Sequence, residues 1–85
     1  AHPHLLACYL IIVLRLSEAT GRRATIPRIP MRITSVRHRL QRYHDRFAHV
    51  SLAAIEAALR LLYAYGKVHA IEDHIVTIDT PTSTN

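Results

Sequence analysis

Gly66 separates two stretches of opposite periodicity, and that junction narrows what the chain can fold into. Upstream, Leu52, Ile55, Leu59 and Leu62 recur at the three- and four-residue spacings of a helix with one buried face. Ser51 stands where its hydroxyl can accept a hydrogen bond from a free N–H of the first helical turn. Glycine alone takes the left-handed conformation past a helix end without a steric penalty, so Gly66 predicts the stop. Downstream the period shortens to that of a strand. With Glu72-Asp73-His74 as the loop, pairing puts Val68, Ala70, Val76 and Ile78 on one face of a hairpin.

The rest of the chain gives two more helices. Residues 5–14 are apolar without a break, and the helix predicted over 5–20 starts after Pro3 and ends at Gly21. A membrane span needs roughly 20 such residues, and Arg15 and Glu18 interrupt this run. A helix apolar all round must be covered all round. The domain's own helices can cover one side. For the other we expect a homodimer interface of Leu5, Leu6, Tyr9, Ile12, Val13 and Leu16, the alternative being a fully enclosed central helix in a monomer. Residues 21–32 form a connector in which Pro27 and Pro30 forbid a helix. Thr25-Ile26 is its expected strand. Helix 2 is expected over 35–47, with Val36, Leu40, Tyr43 and Phe47 continuing a core face from Ile33. Helix 3 then occupies 51–65, the ribbon 67–79, and a polar tail 80–85. The whole, 1–85, reads as one α+β domain, mainly α.

The formal charge is +5, carried by ten arginines and one lysine against six acids. Such a balance favours a polyanionic partner. Cys8, the lone cysteine, excludes an internal disulfide and a cysteine zinc cluster. It lies in the apolar run, where a buried structural thiol is the expected state and a reducing interior the matching compartment. His2, His4 and Cys8 have a spacing zinc could use, but no second pair lies at a recognisable distance. With only Gly21 and Gly66, neither a phosphate-cradling loop nor a dinucleotide turn can be built. No enzyme, cofactor or metal is expected.

Helix, short strand, helix, helix, strand, strand is an order that resembles the winged helix-turn-helix superfamily of transcription regulators, over roughly residues 5–79. Residues 49–62 look like the recognition helix of ferric-uptake-type repressors, and Tyr65-Gly66-Lys67-Val68 is similar to that family's exit into the wing. Its histidine-rich metal region has no counterpart here. The resemblance implies three helices and a C-terminal β-hairpin wing, and a third helix that enters the major groove of double-stranded DNA. Ser51, Arg60 and Lys67 are its candidate contacts. The outward positions Ala53, Ala54 and Ala57 offer none of the usual base readers, and the wing tip, Glu72-Asp73, repels phosphate.

The basic set Arg28, Arg32, Arg37, Arg39, Arg42 and Arg46 suits phosphate contacts, which need only charge and reach. Alternatively these arginines solvate an exposed helix and pair with Glu18 and Asp45. Two functions follow. One is a small dimeric DNA-binding regulator, cytoplasmic and nucleoid-associated, or nuclear in a eukaryote. The other is a winged helix that presents its alanine-rich third helix to a protein partner.

Overall fold

The computed structural model describes residues 4–21 and 28–80. Within them the order is α1 (Leu5–Gly21), β1 (Arg28–Arg32), α2 (Ile33–Tyr43), a 3-10 turn (Asp45–Phe47), α3 (Leu52–Ala64), β2 (Ala70–Glu72) and β3 (Ile75–Asp79). Three helices pack on one another and on a three-stranded antiparallel sheet of order β1-β3-β2. This is a winged-helix-like α+β layout. Among the described residues no helix is long and apolar enough to cross a membrane.

The junction at Gly66 forms as its sequence requires. Ser51 Oγ accepts from the Ala54 N–H at 3.1 Å and caps α3. At the other end Gly66 has φ +75°, and the Lys67 and Gly66 N–H groups donate to the Leu62 and Tyr63 carbonyls at 2.8 and 2.9 Å. That crossed pair satisfies carbonyls the helix end would otherwise leave open.

The hairpin departs from expectation by one residue. Its turn is Asp73-His74 alone, with φ of 52° and 62°, so Glu72 pairs with Ile75 and Ile71 with Val76. Positive φ at both central residues matches the right-handed twist of a two-residue hairpin. A one-residue shift exchanges the faces of a strand. Ile71, not Ala70, therefore joins Val76 and Ile78 against the core. Val68 is buried as expected.

Two other boundaries move. The first strand lies at 28–32, while Thr25 and Ile26 fall outside the described residues. Pro30 sits in β1, which is an edge strand, the one place in a sheet that tolerates a residue without an N–H. Ile29 and Met31 alternate inward opposite Ile78 and Val76. β1 runs straight into α2, which begins two residues earlier than expected and stops at Tyr43. His44 is extended there, and its Nδ1 accepts the Arg46 N–H at 3.0 Å. The new turn this starts delivers Phe47 into the core.

The core gathers Cys8, Ile11 and Ile12 from α1, Ile33, Val36 and Leu40 from α2, Ile55, Leu59 and Leu62 from α3, and Val76 and Ile78 from β3. Burial pushes the Cys8 thiol up from 9.0 to about 11, because no charge or donor nearby offsets its desolvation. His4 packs its ring edge-on against Phe47 at 5.9 Å. His2 lies outside the described residues.

Candidate nucleic-acid interface

A concavity of about 1020 Å³ is an open groove between the second half of α1, β1 and the outward side of α2. Its floor is apolar, with Ile11, Leu14 and Met31. Arg15, Arg32, Arg39, Arg42 and His38 line it. Helical periodicity explains the convergence. Ser35, His38, Arg39 and Arg42 are linked by three- and four-residue steps along α2, and Arg15 lies one turn after Ile11 on α1.

One acid, Glu18, lines the same groove, and it is already engaged. Arg39 donates to both its oxygens, at 2.9 and 3.1 Å. That bond raises the already high pKa of the guanidinium, against a lowering by partial desolvation, with the carboxylate's charge adding to the rise. Among the described residues, Arg15, Arg32 and Arg42 have no carboxylate partner. α2 adds partial positive charge: its first turn holds no acid, and its N-cap, Arg32, makes no side-chain cap bond. Thr34 and Ser35 of that turn also line the groove. The site therefore combines unneutralised cations and hydroxyls with apolar residues. Exposed Tyr43 stands at its edge.

The residues expected to meet nucleic acid divide. Arg32, Arg39 and Arg42 come together, joined by Arg15 and His38, which sequence reasoning missed. In the sequence Arg15 stands out only as a break in an apolar run. Arg37 does not line the groove. Arg46 lies over the Phe47 ring at 4.8 Å, near the start of α1. Arg28 meets Asp79 at 3.4 Å at the far end of β1, and Lys67 lies 6.0 Å from the Tyr9 ring on the other flank of α1. On α3, Arg60 is held by Glu56 at 2.7 Å, with His74 of the turn 3.8 Å from the same carboxylate. Ser51 spends its hydroxyl as the cap. The outward face of α3 is thus alanine and a neutralised pair.

The expected dimer residues also divide. Ile12 is 1% exposed, inside the protomer's own core, because its position on α1 points at α2 and α3. It cannot meet a second molecule, and the interface assignment is corrected there. Leu5, Tyr9 and Leu16 are half-buried against the same core. The open side of α1 is instead Leu6, Leu10, Val13 and Leu14, exposed by 67, 43, 40 and 50%.

No family model, curated protein or solved structure matches this chain, so the reading of the groove rests on its own residues.

Proposed function

We propose that the chain is a DNA-binding domain of the kind used in transcription regulation, which holds the sugar-phosphate backbone in the basic groove and reads no base sequence. The observation that supports it most is the convergence of Arg15, Arg32 and Arg42 with Arg39, where the single acid is already bound to Arg39. Surface ion pairs contribute little to stability, so unpaired arginines gathered in a concave site are better explained by an anion that visits it. Guanidinium groups are weakly hydrated and fit phosphate with paired donors. The α3 face argues against base readout, since Ala53 and Ala57 carry no hydrogen-bonding side chain and Arg60 is tied to Glu56.

A second reading takes its support from that same face. Ala53 and Ala57 are exposed there and leave a face without bulky or base-reading side chains, of the type a protein partner can cover.

Titration of labelled duplex DNA at several salt concentrations separates the two. Three phosphates neutralised by Arg15, Arg32 and Arg42 give a log–log salt slope of about −2.7. Replacing Arg15, Arg32 and Arg42 together by Ala should remove most of that slope, with affinity falling at every salt concentration. Arg60→Ala should leave both unchanged. Binding by the triple variant as tight and as salt-sensitive as the wild type would overturn the groove assignment. Failure of the wild-type chain to bind at low salt would leave the partner reading.

A further inference from the structure

We propose that the open side of α1 takes a second copy of this chain, antiparallel, and that the resulting two-fold dimer presents both basic grooves on one face. The dimer is a separate matter from what the grooves bind.

The seam carries the inference. Leu6, Leu10, Val13 and Ser17 are spaced four, three and four, the spacing at which two helices interlock their side chains. All four are exposed and lie opposite the face that α1 buries in its own domain. Run in opposite directions, the seam matches large to small. Leu6 of each copy meets Ser17 of the other, and Leu10 meets Val13.

Charges and helix dipoles agree with the same direction. Arg46 borders the seam at its Leu6 end and Glu18 flanks it beyond Leu14. Antiparallel pairing brings each Arg46 toward the other copy's Glu18, whose carboxylate Arg39 of its own chain already holds, so this attraction is a minor contribution. Parallel pairing would turn the Arg46 and Glu18 flanks of the two copies to opposite sides. It would also align the two helix dipoles, which an antiparallel pair opposes.

The size of the contact fits. Two helices about 26 Å long packed along their length form an interface at the lower margin of specific ones, about 1,000 Å². That suits a reversible dimer in the micromolar range.

The position of the grooves follows from symmetry. The two-fold axis of an antiparallel pair is perpendicular to both helices and passes through the seam. It carries either flank of one helix to the same side of the other. Ile11, Leu14, Arg15 and Glu18 share a single flank, so the two grooves emerge together. A parallel pair would turn them to opposite sides.

Sedimentation equilibrium without nucleic acid tests the seam, in high salt so that phosphate contacts play no part. The wild type should dimerise reversibly, and Leu10→Glu should stay monomeric with an unchanged circular-dichroism spectrum. A wild-type chain monomeric at every concentration, or a folded Leu10→Glu that still dimerises, overturns the proposal. Cysteine pairing tests the direction and needs no disruptive change, since Cys8 is buried and does not compete. Mixed under mild oxidation, Leu6→Cys and Ser17→Cys chains should form the mixed disulfide. Leu6→Cys alone should not cross-link, because eleven residues of helix keep its two copies about 16 Å apart along the axis. Efficient cross-linking of Leu6→Cys to itself refutes the antiparallel arrangement. DNA titration of the monomeric variant shows separately whether a single groove binds.

Discussion

Replacing Gly66 by Ala isolates the conformational requirement at the helix–ribbon junction. The residue has φ +75°, and a Cβ built there meets nothing within 4 Å. No clash or cavity enters, and the whole effect is backbone conformation. An L-residue in the left-handed region costs roughly 1–2 kcal/mol. Part returns, because alanine restricts the unfolded chain more than glycine and so recovers about 0.4–1 kcal/mol. The net loss should be about 1 kcal/mol, or a fall in Tm of about 4–8 °C for a domain of this size. Gly66→Asn should lose less, since asparagine visits this region more readily, and Gly66→Val should lose more. Urea and thermal unfolding followed by circular dichroism give all three values. If alanine is neutral or stabilising, residue 66 is not left-handed. The crossed bonds of Lys67 and Gly66 to α3 would then have to be abandoned, and with them the tight exit into the hairpin.

Two further predictions concern α1. Ile12→Ala, inside the core, should destabilise by about 2–5 kcal/mol, whereas Leu10→Ala on the open side should change the unfolding midpoint of the isolated protomer little; equal losses would refute the division of the helix into a buried and an open face. Cys8 gives a pH dependence of defined sign. Its folded pKa is raised from 9.0 to about 11, so above 9.0 the unfolded chain ionises first and gains stability relative to the fold. Stability attributable to the neutral thiol is full below that pH and declines toward the upper value by up to about 2–3 kcal/mol. Comparing the alkaline unfolding midpoints of wild type and Cys8→Ala measures it, and parallel curves would refute it.

How far the fold was legible depended on how local its causes are. Ser51 and Gly66 act through their own backbones and neighbours, and both do what their residue types imply. The hairpin register was not legible, because Asp73-His74 adopts a double left-handed turn usually marked by Asn-Gly or Asp-Gly. Reading three loop residues instead of two put Ala70 on the face that belongs to Ile71. Pro30 disguised β1, since the edge position that makes proline acceptable is set by a pairing across 47 residues, with Thr77. The break at His44 depends on its side chain capping its own chain two residues on, a competition that apolar spacing does not reveal. The groove was half-legible. Arg32, Arg39 and Arg42 were visible as a basic set, but Arg15 comes from another helix, and only the packing of α1 beside α2 brings it to them. The pairing of Arg39 with Glu18, one of the two fates considered for the basic set, crosses the same helix–helix boundary.

The strand order has a consequence for how the chain reaches this shape. β3 is the last element of the described chain and also the middle of the sheet, bonded to β1 on one side and β2 on the other. During synthesis β1 emerges with Ile29 and Met31 already patterned for burial, yet its ladder partner among the described residues is not made until residues 75–79 appear. The helices can associate earlier, while the ribbon and the edge strand must wait for one late insertion that joins both. Lesions in β3 should therefore prevent closure of the sheet from either side, where equal lesions in β2 would leave β1 and β3 paired.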